Sequence, residues 1–98
     1  MINVIKRFSI ENSKELNTKL IQDIKHYAES FILYLSGKDY DRCLQRLITL
    51  KDTFKNFCIL NGVVIDHNIL EINIYIRPTQ QQINEWLKIK DYILKVID

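Results

Sequence analysis

The sequence has few of the residues that interrupt regular secondary structure: its 98 residues include only 2 Gly and 1 Pro. Because these two residues mark most turns and loops, their scarcity predicts that most of the chain lies in helices or strands with short connections. The chain also lacks internal repeats and low-complexity segments, and it is too short for two separate hydrophobic cores. We therefore expect residues 1–98 to form a single compact domain.

Cysteine is scarce too, and the 2 cysteines, Cys43 and Cys58, fall on one predicted helix. At about 1.5 Å of rise per residue they stand on the order of 20 Å apart. Cα atoms separated by more than about 7 Å cannot be bridged, so the sequence predicts two free thiols.

Long apolar runs are absent. The N-terminal segment MINVIKRFSI places its charges after its first apolar residues and has no small-residue cleavage site. We expect neither a signal peptide nor a membrane span, and hence a cytoplasmic protein without a membrane partner.

Neither sign of charge dominates, since the formal net charge is +2 and the pI is about 8.5. A dedicated nucleic-acid binder usually concentrates far more Lys and Arg on one face, so we expect a mixed, solvated surface. The abundance of Ile, Lys and Asn is typical of an AT-rich genome, which indicates a low-GC bacterium or one of its mobile elements, such as a phage, as the source.

Motifs for catalysis or metal binding are also missing: CxxC, HxxxH and HExxH do not occur, and both glycines follow predicted helices. We predict no catalytic residue, no metal and no cofactor, and we expect that the protein is not an enzyme. The alternative is a small enzyme with a cysteine or histidine site, in which Cys43 or Cys58 pairs with His26 or His67.

The clearest pattern that is present runs from Ile69 to Arg77, ILEINIYIR. Aliphatic and polar residues alternate strictly, and the aliphatic set is Leu70, Ile72, Ile74 and Ile76. A period of two predicts a β-strand with one face against a core. Similar alternation predicts a strand over residues 2–10, and a short strand over Val63 to Asp66 leads into a turn at His67 and Asn68.

Apolar residues at three- and four-residue spacing predict two long helices before these last strands. The first starts at a capping-box pattern at Asn12 and stops at Gly37, and the second starts at the N-cap Asp39. The second ends at Asn61-Gly62, a pair that also fits a β-hairpin turn, but unbroken helical spacing favours the helix cap. The tight connection predicts an antiparallel helical hairpin.

A third helix is predicted from a capping box at Thr79 to Gln82, directly after Pro78, to the C-terminus. The element order is then β-α-α-β-β-α. We predict an α+β fold in which helices pack on one face of a three-stranded antiparallel sheet.

The last helix carries a wider apolar arc than packing on one sheet requires, and the arc includes Trp86, Ile89, Tyr92 and Val96. Either this helix is wedged into the core or part of the arc contacts a partner, since Tyr and Trp are enriched at interfaces. We predict a non-catalytic protein-binding module that acts as a regulator, inhibitor or adaptor and forms a homodimer through this helix.

The alternative binding function is nucleic-acid recognition by the polar face of the sheet. Such a face would present Arg7, Asn73, Tyr75 and Arg77, and some RNA-binding folds stack bases on aromatic and guanidinium groups in this way. One tyrosine is fewer than such sheets usually present, and Glu71 would repel phosphate.

Overall fold

The computed structural model describes the backbone of residues 2–98 and the side chains of residues 14–98. Within that backbone there are three α-helices, α1 (Ile2–Ser36), α2 (Tyr40–Asn61) and α3 (Gln80–Ile97), and no β-strand. The predicted α+β fold with a three-stranded antiparallel sheet is therefore wrong. The predicted helical hairpin is present as α1 and α2, and α3 packs against both.

Residues 2–10, the predicted first strand, form the start of α1 instead. Ile2, Ile5 and Phe8 follow one another at a spacing of three, so this segment fits a helical period as well as a strand period. Nine residues are too few to separate the two periods. The predicted helix start at Asn12 is also wrong, because α1 continues through it.

The turn between α1 and α2 is tight. Lys38, rather than the predicted Gly37, adopts the left-handed conformation, with φ of 59°. The Asp39 side chain caps α2 by accepting a hydrogen bond from the amide of Arg42 at 3.2 Å. The short turn brings α2 back alongside α1.

Gly62 ends α2 in the left-handed conformation, with φ of 65°. Its amide donates to the Ile59 carbonyl, and the amide of Val63 donates to the Cys58 carbonyl at 2.9 Å. This pair of bonds is a Schellman motif, so Asn61-Gly62 is a helix cap and not a hairpin turn.

The core lies where the three helices meet, and the apolar spacing that predicted α2 is confirmed by its buried residues. They are Cys43, Leu47, Leu50, Phe54, Phe57 and Cys58. They pack against Ile24, Ala28 and Phe31 of α1 and against buried residues of α3. Both cysteines are free, as predicted.

We call residues 63–79, which connect α2 to α3, the strap. Ile76 and Pro78 lie beside Asp39 and Tyr40 at the start of α2, so α3 begins at the end of the molecule where α2 began. α2 and α3 therefore run in the same direction. Because α2 has 22 residues and a length of about 33 Å, the strap has to travel back along it.

The strap makes one turn and then runs nearly straight. At the turn, the amide of Ile69 donates to the Asp66 carbonyl at 3.1 Å. His67 lies beside Lys55, whereas Ile76 lies beside Tyr40, which is about 22 Å away along α2. The nine residues from Asn68 to Ile76 would cover only about 14 Å as a helix, so most of this segment is extended. The alternating segment is thus an unpaired connection and not a strand.

In the part of the chain that the structure describes, no helix is sufficiently apolar over a sufficient length to span a membrane.

Candidate interaction surface

The inner side of the strap is fixed to α3. Trp86 is fully buried, and its Nε1–H donates to the Asn73 carbonyl at 2.9 Å. The ring of Tyr75 lies 5.9 Å from the Trp86 ring, centroid to centroid, and its hydroxyl donates to Glu85 at 2.8 Å. Leu70 is fully buried and Ile72 packs against the core. The inward-facing residues are thus Leu70, Ile72 and Tyr75. Their spacing of two and then three breaks the predicted alternation.

The outer side of the strap is rich in exposed aliphatic side chains. Ile74 is 73% exposed, Ile76 is 83% exposed and Val64 is 95% exposed. Val63 and Ile69 are exposed as well, so five of the ten exposed large hydrophobic residues in the described region lie in this 17-residue connection. Exposed apolar residues that lie together mark a contact surface more often than single ones do, and Ile74 and Ile76 are such neighbours on the strap.

The backbone of the strap is also open. Among the described residues, no protein group accepts a hydrogen bond from the amides of residues 72–77. Such groups remain hydrated in a free subunit, and they are the groups through which an exposed strand edge pairs with another chain. The strap therefore offers both apolar side chains and free backbone donors.

The predicted contact residues of α3 face the interior to different degrees. Trp86 and Ile89 are buried, whereas Tyr92 and Val96 are partly buried and pack against the core. The Tyr92 ring stands edge-on to Phe54 at 6.2 Å. The arc is wide because α3 contacts the helical hairpin on one side and the strap on the other. A homodimer contact through these four residues stays a prediction.

The nucleic-acid face was predicted on a sheet, and the described backbone has no sheet, so the predicted location of this face is wrong. Asn73, Tyr75 and Arg77 lie on the strap, and the side chain of Arg7 is outside the described residues. The hydrogen bond to Glu85 raises the pKa of Tyr75, and the Tyr75 ring packs against the Trp86 ring. Tyr75 is thus a structural contact within the subunit.

Of the cysteine and histidine pairs considered for an enzyme, the structure brings Cys58 and His67 to one shallow cavity of about 330 Å³. Burial raises the pKa of the Cys58 thiol, and burial together with Asp39 raises the pKa of Cys43 to about 11. A raised pKa disfavours the thiolate, which is the nucleophilic form. His26 lies on α1 with its ring 5.7 Å from that of Tyr27. In the described region no three metal-ligating side chains cluster.

Sequence reasoning missed the outer side of the strap, because strict alternation places Ile74 and Ile76 in the core. The length of the connection gave no warning, because the seventeen residues between Gly62 and Gln80 accommodate the predicted pair of strands and their turn. Without a sheet they form a long connection, and such connections are uncommon unless they have a function.

No family model, curated protein or solved structure matches this chain.

Proposed function

We propose that this protein is a small non-catalytic protein-binding module of the cytoplasm, a regulator, inhibitor or adaptor, that contacts its partner through the outer side of the strap. The supporting observation is the group of exposed aliphatic side chains beside unpaired backbone amides. Removing apolar surface from water contributes roughly 25 cal/mol per Å² to association. Single exposed residues such as Leu33 on α1 need no such explanation.

The strap is suited to strand addition, in which an extended segment pairs its backbone with a strand of the partner. The side chains of Ile74 and Ile76 would then enter apolar pockets or contact an apolar face. Leu70 and Trp86 already hold the inner side in place. Because the segment is ordered before binding, little conformational entropy is lost on association.

The test is affinity capture from cells of the native source with three tagged proteins: the wild type, the Ile74→Glu/Ile76→Glu variant and a Leu33→Glu control. Leu33 is 71% exposed on α1, so the control adds one of the two charges at similar exposure away from the strap. Circular dichroism verifies that all three are folded. We expect a partner retained by the control and lost by the strap variant. Equal recovery of the same partners by all three proteins would contradict the proposal.

A further inference from the structure

We infer that the strap pairs with the strap of a second copy of this chain, antiparallel, about a twofold axis at Ile74. This inference rests on the proposed function and names the partner. It follows from the order of charges along the strap, from the direction of its backbone groups and from the exposure of its isoleucines.

The segment Glu71 to Arg77, EINIYIR, is self-complementary when read in opposite directions. Antiparallel pairing centred on Ile74 places Glu71 of each copy opposite Arg77 of the other. The same register pairs Ile72 with Ile76, Asn73 with Tyr75, and Ile74 with itself. Opposite charges that face each other across paired strands are favourable, and in a twofold contact each pair occurs twice.

Other arrangements lose this complementarity. Parallel pairing in register places Glu71 against Glu71 and Arg77 against Arg77, which is repulsive. An antiparallel register centred on Asn73 places Glu71 opposite Tyr75, and one centred on Tyr75 places Arg77 opposite Asn73. The charges therefore select both the direction and the register.

The backbone directions agree with this register. In an extended chain the N–H and C=O of one residue point to the same side, and those of the next residue point to the other. The Asn73 carbonyl points to Trp86 on α3. The groups of Ile72 and Ile74 consequently point away from α3, towards a second strand, and antiparallel pairing would extend the same alternation to Ile76. These are the residues that exchange backbone hydrogen bonds when the twofold axis passes through Ile74.

The same contact covers exposed Ile74, which meets its own copy, and places exposed Ile76 opposite Ile72, whose side chain is partly buried against the core. The chain bends at Ile76 and Arg77, so the paired stretch ends at the Glu71–Arg77 pair. Interfaces of this small size are typical of transient contacts, so we expect a weak dimer with a dissociation constant on the order of micromolar.

Charge-swap variants test the register by sedimentation equilibrium. In a Glu71→Arg homodimer both charged pairs become Arg with Arg, and in an Arg77→Glu homodimer both become Glu with Glu. We expect each variant alone to dimerise about tenfold or more weakly than the wild type. In an equimolar mixture one chain of each kind restores two opposite-charge pairs, so we expect a heterodimer close to wild-type affinity.

Matched controls are Glu29→Arg and Lys19→Glu, which make the same charge changes at exposed positions of α1. We expect both controls to dimerise like the wild type. A wild type that stays monomeric up to about 1 mM, or single strap variants that dimerise as well as the wild type, would overturn the inference.

The two proposals fail differently. A monomeric wild type whose captured partner is lost on Ile74→Glu/Ile76→Glu overturns the second copy as the partner but supports the strap as a binding surface. If neither the molar mass nor the captured proteins change with that variant, both proposals are wrong.

Discussion

At the scale of single residues, Trp86 connects the strap to the helical core. It is fully buried, and its indole N–H has the Asn73 carbonyl as its partner. A buried indole normally needs such a partner, because leaving a polar group dry and unpaired is costly. The contact holds the Asn73 carbonyl towards α3. A buried residue thereby influences which backbone groups of the strap face outward.

Trp86→Phe should lower the free energy of unfolding by about 1–3 kcal/mol, because it removes the donor to Asn73 and leaves a small void. Urea denaturation measures this change. Tyr75→Phe is the control, since it removes only the exposed hydrogen bond to Glu85, and we expect it to have a smaller effect. Wild-type stability of Trp86→Phe would show that the strap does not depend on this contact.

The two buried thiols should be unreactive in the folded protein. The pKa of Cys43 is raised to about 11 and that of Cys58 is raised by burial, so both stay protonated at neutral pH. We expect Ellman's reagent at pH 8 to label neither native thiol and to label both in denaturant. Rapid labelling of native Cys58 that disappears on His67→Ala would instead favour the enzyme alternative.

At the scale of elements, local signals predict both ends of α2 and the start of α3, but not the start of α1. Asp39 caps α2, Gly62 ends it, and the Thr79 and Gln82 side chains form both hydrogen bonds of a capping box at the start of α3. Each of these contacts joins residues at most five apart in sequence, so the sequence pattern contains the whole interaction.

Two substitutions at positions with positive φ should have opposite effects on stability. Lys38→Gly should stabilise the protein by about 0.5–1 kcal/mol, because Lys38 holds φ of 59°, which is unfavourable for a residue with Cβ. Gly62→Ala should destabilise it by about 1 kcal/mol, because Ala opposes φ of 65° although the space around it is open. Thermal unfolding of both variants checks the signs. Stabilisation by both, or by neither, would contradict the assignment of the two helix ends.

The strap shows what a local pattern leaves open. Alternation over residues 69–77 describes a backbone that runs straight, but a β-strand also needs a neighbour for its hydrogen bonds. Residues 2–10 belong to α1 and offer no such neighbour. The register changes at Tyr75, because its ring and hydroxyl find Trp86 and Glu85 on α3. These are contacts between elements, and the spacing within one element does not specify them.

At the scale of the whole molecule, connectivity explains why the surface lies where it does. The chain is elongated, with a radius of gyration of 15.5 Å, against about 13 Å for a typical domain of 100 residues. Two helices that run in the same direction require a connection as long as the helix itself. In this protein that connection lies on the outside of the core, which exposes Ile74 and Ile76 to solvent.

The proposed pairing of two straps predicts that the protection of amides against exchange alternates along the backbone. On association, the amides of Ile72, Ile74 and Ile76 gain hydrogen-bond acceptors on the second copy. The amides of Asn73 and Tyr75 point to the other side and gain none. Residue-specific protection against exchange should therefore follow a period of two.

The most direct test is amide hydrogen exchange, measured by NMR for each residue at low and at high protein concentration. We predict that exchange slows with concentration at Ile72, Ile74 and Ile76 and stays unchanged at Asn73 and Tyr75. Exchange that is independent of concentration at all five amides, or that slows equally at all five, would contradict pairing of the strap through its outer edge.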